Sequence, residues 1–211
     1  MVFSRFGRFA PLTGVVFVVL LAVSFALGGS TPGVHASGAK VLASYAKNHS
    51  HRMASAYFFL LAMVFFLFFA GALRTFLRRV GVGGLAAVAL VGAAVLAVGA
   101  TIFAAMEWSL SDAYKTLTPA GAQALNVLSN DFFAPFALGM AVFGIAIGIA
   151  LVLSRALPQW LGWIAIVLGI LGLTPAAFFA FLALAVWTLI VSILVFTRFE
   201  ARGVRAAPAT A

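Results

Sequence analysis

Ala156–Thr197 reads ALPQWLGWIAIVLGILGLTPAAFFAFLALAVWTLIVSILVFT, 42 residues without one charge, and the way this stretch divides decides the fold. At 1.5 Å per residue a single helix of that length would run about 63 Å, twice the hydrocarbon thickness of a bilayer. It must therefore fold back on itself. The break falls at Thr174-Pro175, because proline lacks a backbone donor and disfavours helix at the residue before it. Residues 157–173 and 176–196 remain as two apolar segments, which predicts a helical hairpin.

Outward from the hairpin, the stretches 9–39, 53–73, 80–106 and 132–154 are also free of charge, and each is long enough for one span. The 211-residue chain is 65% hydrophobic and 8% charged, with a mean hydropathy of +1.20, well outside the range of soluble domains. The expected fold class is all-α, a polytopic transmembrane helix bundle forming one domain. Its six spans are expected over about 10–29, 53–73, 84–106, 132–153, 157–173 and 176–196, with a disordered basic tail over 199–211. Transmembrane barrels need short alternating segments, whereas these runs are continuously apolar.

The net charge of +9 has a distribution that argues against nucleic acid. Six spans from an inside N-terminus put Arg5, Arg8, Arg74, Arg78, Arg79, Arg155, Arg198, Arg202 and Arg205 in the cytoplasm, nine of the thirteen basic residues. Lys40, Lys47, Arg52 and Lys115 fall outside, together with Glu107, Asp112 and Asp131. Five spans would export the C-terminal arginines, so six are preferred and both termini are expected in the cytoplasm. The basic excess then sets topology and attracts anionic lipid, at about 1 kcal/mol per basic residue near the surface. Cysteine is absent, which excludes disulfides, thiol nucleophiles and thiolate-ligated metal.

Pro11–Leu27 after Arg5 and Arg8 also has the look of a secretory signal, and Val34-His35-Ala36 would suit a signal peptidase. The run is long for a signal core and the site lies far beyond it, so the segment is read as a retained span. In the first outside loop, Val41, Leu42, Tyr45 and His49 share one helical face, which predicts a short helix on the membrane surface. Phe58, Phe59, Phe65, Phe66, Phe68 and Phe69 crowd the second span and should face both lipid and neighbours. Gly84–Met106 is rich in glycine and alanine, and close packing through Gly92 and Gly99 makes it the expected central helix. Gly144-xxx-Gly148 offers a matching close-packing surface. Gly81-Val82-Gly83-Gly84 lacks the lysine of a phosphate loop and reads as a helix end followed by a helix start. Thr118-Pro119 reads as a capped helix start, with Leu125, Leu128 and Phe132 continuing one apolar face, and Asp131 is placed to cap the fourth span.

Leu157-Pro158-Gln159-Trp160-Leu161-Gly162-Trp163 joins a turn to interfacial tryptophans. With the amphipathic segment 120–129 before it and the hairpin after it, 120–196 resembles small multipass bacterial inner-membrane proteins of the domain-of-unknown-function type. The resemblance implies a bacterial inner-membrane location and about six spans, and it brings no catalytic residues.

The side chains able to do chemistry gather on the outer face: His35, His49, His51, Arg52, Glu107, Asp112 and Asp131. Imidazole and carboxylate together would suit a divalent metal or a hydrolytic site built on Glu107 with His49 and His51. The His-x-His spacing does not put both rings on one helical face, and no HExxH spacing occurs. An interfacial cluster in which Glu107 pairs with Arg52 or a histidine is the expected arrangement. The spans hold no ionisable group, which disfavours an ion-coupled transporter. Thr13, Ser24, Thr101, Thr174, Thr188 and Ser192 are each expected to bond their own helix. The expected function is therefore non-catalytic and without a cofactor. It would act through helix-packing contacts with membrane lipid, a protein subunit or a second copy of the chain. The alternatives are the outer-rim metal or hydrolytic site and a passive carrier or binder of lipid or apolar molecules.

Overall fold

The computed structural model describes residues 9–131 and 133–205, with side chains described as far as Arg198. Arg5, Arg8, Phe132, the side chains of Arg202 and Arg205 and the tail 206–211 lie outside the described residues. Those described form helices joined by short turns, with no strand among them. A 3-10 turn, Ala10–Leu12, leads into α1 (Thr13–Gly28), followed by α2 (Gly38–Arg78), α3 (Gly83–Asp112), α4 (Pro119–Asp131), α5 (Ala134–Ser154), α6 (Gln159–Leu171) and α7 (Ala177–Arg205).

Five helical stretches are long and apolar enough to cross a membrane, the segment Pro119–Ser154 counting as one of them. Large apolar side chains stand exposed along them, among them Val19, Phe68, Val91, Leu138, Phe179 and Val186. Such a surface suits hydrocarbon and would drive association in water. The fold is that of a helical membrane protein. Trp160 and Trp163 are exposed at the start of α6, as interfacial tryptophans are.

The charge-free stretch is broken where its proline falls, since 172–176 is a turn between α6 and α7. The hairpin is antiparallel. Leu161 and Trp187 stand 13 residues either side of Thr174, and the Trp187 indole donates to the Leu161 carbonyl at 2.9 Å. At 13 residues α6 is shorter than the 157–173 expected and reaches only about 20 Å. Pro158 before it and Gly172 after it leave the helix ends to turns. In contrast, α7 continues to Arg205, into the region expected as tail.

A core of aromatic rings ties the bundle together. Phe17 meets Phe66 at 5.1 Å, Phe66 meets Phe143 edge-on at 5.3 Å and Phe143 meets Trp187 at 6.2 Å, linking α1, α2, α5 and α7. Of the six phenylalanines in the second span, Phe59, Phe66 and Phe69 are buried and Phe68 is exposed, the mixture expected.

Glycine decides which helices touch. A Cβ on Gly92 would lie 2.4 Å from the backbone of Phe143, one on Gly99 2.4 Å from Phe136, and one on Gly139 2.0 Å from Leu96, so α3 and α5 meet backbone to backbone. Gly144 and Gly148 do pack closely, but against α6 rather than α3: their nearest neighbours are Ala165 and Gly169, and Gly162 and Ile166. The middle of the bundle is accordingly shared. α5 lies between α3 and α6, and it is buried along most of its length.

At one end of the bundle the connecting segments build a crown. Ser37 starts α2 by accepting from Lys40 N–H, and the helix then bends at Asn48, whose φ of −130° leaves the helical range. The segment before the bend turns its apolar side to protein: Val41 and Tyr45 pack with Leu110 of α3 and Ala122 of α4 in a small apolar cluster. Gly38 sits so near Pro119 that a Cβ there would meet its carbonyl. Thr118 accepts from Gly121 N–H at 3.2 Å, the cap expected of Thr118-Pro119. Asp131 ends α4 and does not cap α5, which begins after Phe133 with Pro135 in its first turn. At the opposite end Phe9 stacks on Phe196 at 6.0 Å and Ser192 donates to the Pro11 carbonyl, so the start of α1 and the far part of α7 are neighbours.

Candidate functional site

Beneath the crown, α2 and α3 bring together two charged residues that the sequence places 55 positions apart. Arg52 is 3% exposed and Glu107 is 8% exposed. The Arg52 Nη1 donates to Glu107 Oε2 at 3.5 Å, and the Tyr45 hydroxyl donates to Glu107 Oε1 at 2.7 Å. Arg52 Nη2 donates to the Ser30 carbonyl at 2.6 Å and to Ser44 Oγ at 3.3 Å. The guanidinium also lies over the Tyr45 ring, 4.2 Å from its centroid. A buried pair needs such supporting bonds, since desolvation of two charges otherwise exceeds their attraction. Ser111 adds a bond to the Glu107 carbonyl at 2.8 Å, steadying that turn of α3.

The other polar residues expected on this rim are placed differently. His49 stacks on Tyr114 at 5.2 Å and its Nε2 bonds the Ser50 hydroxyl, so its ring is committed to the crown surface. His35, His51, Asp112 and Asp131 are exposed. Among the described residues no three of His, Asp and Glu converge as a metal would need. Glu107 is thus joined by Arg52 and Tyr45, and not by the histidines.

Next to this pair the bundle is open. Two adjoining cavities of about 210 and 460 Å³ share Phe25, Thr31, Phe59, Phe103 and Phe178 in their walls. The smaller reaches Arg52 and Glu107; the larger runs on past Phe136 and Phe181 to the Thr174-Pro175 turn. The rings support each other edge to face: Phe25 with Phe178 at 6.0 Å, Phe25 with Phe59 at 6.4 Å and Phe59 with Phe103 at 6.3 Å. Phe25, Phe103 and Phe178 remain between 37% and 55% exposed, so this aromatic wall is only partly covered by protein. The larger cavity falls within the 300–1,000 Å³ typical of small-molecule sites.

Two serines close the floor of the smaller cavity by a reciprocal clasp. Ser24 Oγ donates to the Ser55 carbonyl at 2.9 Å and Ser55 Oγ donates to the Ser24 carbonyl at 2.8 Å, pinning α1 to α2. Ser24 was expected to bond its own helix, as Thr13, Thr101 and Thr174 do. Instead Ser24 and Ser192 both bond across elements, where carbonyls of a neighbouring segment come within reach. Buried Thr188 Oγ1 has no hydrogen-bond partner among the described residues.

Sequence reasoning reached Arg52 and Glu107 but not Tyr45, Ser30, Ser44 or Ser55. Tyr45 and Arg52 lie on either side of the bend at Asn48, so helical spacing alone does not bring them together. Compared with protein-family models, curated proteins and solved structures, the chain matches none.

Proposed function

We propose that the protein is a non-catalytic integral membrane protein that holds a lipid in the phenylalanine-lined crevice, with the Arg52–Glu107 pair at its polar end. The observation that carries this reading is the shared aromatic wall of the two adjoining cavities, Phe25, Phe59, Phe103 and Phe178, with Arg52 and Glu107 bordering the smaller cavity and Ser129, Asn130 and Thr174 bordering the larger. An amphiphile combines the same apolar body and polar groups. Of the readings open to the sequence, the lipid partner is the one this geometry favours, since the helix seams already fill their own contacts and the crevice does not.

In this reading the chain crosses a bacterial inner membrane six times, with the crown outside and both termini in the cytoplasm. The antiparallel pairing of Leu161 with Trp187 and the contact of Phe9 with Phe196 support it. Thirteen helical residues are short for a span, so α6 needs its flanking turns or a locally thinner bilayer to complete the crossing. The resemblance of 120–196 to small multipass bacterial proteins points to the same location.

The test is lipid extraction from the purified full chain followed by mass spectrometry, beside a Thr31→Trp variant. Thr31 is exposed and lines both cavities, so a large ring there fills the crevice with little risk to folding. Lipid in stoichiometric amount from the native chain and severalfold less from the variant is expected. Equal lipid in both would refute the crevice as its seat.

A further inference from the structure

We infer that the bilayer is thinned along α6 on the crown side, where lipid headgroups come down to the 172–176 turn. This rests on α6 crossing the membrane, as proposed above, and adds how and at which end that crossing is completed.

The first observation is the level at which α6 ends. Close contacts fix it against α5: a Cβ on Gly162 would lie 2.7 Å from the Gly148 carbonyl, and one on Gly172 2.9 Å from the Met140 methyl. Leu171, the last residue of α6, is therefore about level with Met140, whereas α5 begins six residues earlier, at Ala134. At 1.5 Å per residue, α6 stops about 9 Å short of the start of α5. α7 has no such deficit, since its Phe181 ring meets Phe136 at 5.0 Å and the helix begins four residues before it, at Ala177. The 172–176 turn thus climbs from the low end of α6 to the full height of α7. At the other end of α6, exposed Trp160 and Trp163 already mark the membrane interface.

The second observation is what the low turn exposes. Leu173 is 58% exposed and Pro175 is exposed beside it. The carbonyls of Gly172, Leu173 and Pro175 accept no hydrogen bond among the described residues. Irregular backbone facing lipid is not tolerated in hydrocarbon, so water or headgroups have to reach this turn. Below it, Ile164, Val167 and Ile170 stand 40–52% exposed along α6, a face for acyl chains. On the stretch of α5 that α6 leaves uncovered, Leu138 is 56% exposed. A bilayer meets an apolar segment that is too short by thinning beside it, which brings the headgroups down to the turn. The occupant of the step above α6 is therefore lipid of the crown-side leaflet.

Nitroxide labels on single cysteines test this in the full chain reconstituted into palmitoyl-oleoyl phosphatidylcholine vesicles. Power saturation compares the access of an aqueous nickel chelate, present on both sides of the membrane, with that of oxygen. The variants are Leu173→Cys, Phe179→Cys and Val167→Cys, at positions 58%, 72% and 52% exposed, where a label disturbs no packed side chain. Along the bundle Phe179 lies about 6 Å nearer the crown than Leu173, so in a flat bilayer its label is the shallower of the two. The expected result is the reverse or equality: a chelate-to-oxygen ratio at Leu173→Cys at least as high as at Phe179→Cys. The Val167→Cys label should be shielded from the chelate and open to oxygen. A ratio at Leu173→Cys severalfold below that at Phe179→Cys overturns the thinning and leaves the crossing of α6 standing. Shielding of Leu173→Cys from both reagents means that another chain covers the step, and overturns the inference as well. Chelate reaching Val167→Cys as freely as Leu173→Cys overturns the crossing of α6 and the inference with it.

Discussion

Arg52 and Glu107 meet at 3.5 Å in the buried end of the bundle, with the Tyr45 hydroxyl 2.7 Å from the second carboxylate oxygen. The contact ties α2 to α3 directly beneath the crown. Removing one partner strands the other charge, so Arg52→Ala or Glu107→Ala should each lower stability by about 3–5 kcal/mol. The paired change Arg52→Met with Glu107→Leu should be far less harmful than the sum of the single changes. Thermal and denaturant unfolding in detergent, arranged as a double-mutant cycle, measures this coupling.

Tyr45→Phe isolates one bond of the same cluster. The ring remains under the guanidinium while the donor to Glu107 is lost. A decrease of about 1.5–3 kcal/mol is expected, the range for a hydrogen bond to a charged group. No change in unfolding would mean that the phenol contributes nothing to the crown.

The seam between α3 and α5 can be tested at Gly139. A Cβ there would lie 2.0 Å from the backbone nitrogen of Leu96, so Gly139→Ala forces the helices apart. It should destabilise by about 1–3 kcal/mol. Gly71 is also helical but has nothing within 4 Å of its Cβ position. Gly71→Ala should be neutral or stabilising by up to about 1 kcal/mol, the helix-propensity gain alone. Equal effects at the two positions would contradict the seam.

Much of this fold is legible in the sequence because membrane helices announce themselves by length and by the absence of charge. Pro175 marks the turn over 172–176, and Thr118-Pro119 marks the start of α4. What is not legible is which surfaces meet. Gly144 and Gly148 show that some helix approaches closely, and spacing alone does not say that it is α6 and not α3. The face carrying Val41 and Tyr45 is plainly apolar, yet periodicity cannot distinguish a membrane surface from the side of α4. The Arg52–Glu107 pair was within reach because both residues border apolar runs. The crevice was not, because an opening between helices is a property of their arrangement and not of any one segment.

The proposed six-crossing topology can be tested chemically, since the chain has no cysteine of its own. Ser50, Arg155 and Thr197 are all exposed, and single cysteines there are sites for an impermeant maleimide. In intact cells Ser50→Cys should react, while Arg155→Cys and Thr197→Cys should react only after the membrane is opened. Reaction of Thr197→Cys alongside Ser50→Cys would show that α6 does not cross.

The site itself is tested most directly by locating a lipid in it. Crystals of the full chain grown with a bromine-labelled acyl lipid give anomalous peaks at the bromine positions. Peaks enclosed by Phe25, Phe103 and Phe178, with the lipid head beside Arg52, are expected. Peaks confined to the outer apolar surface, with none between those rings, would contradict the crevice as a lipid site.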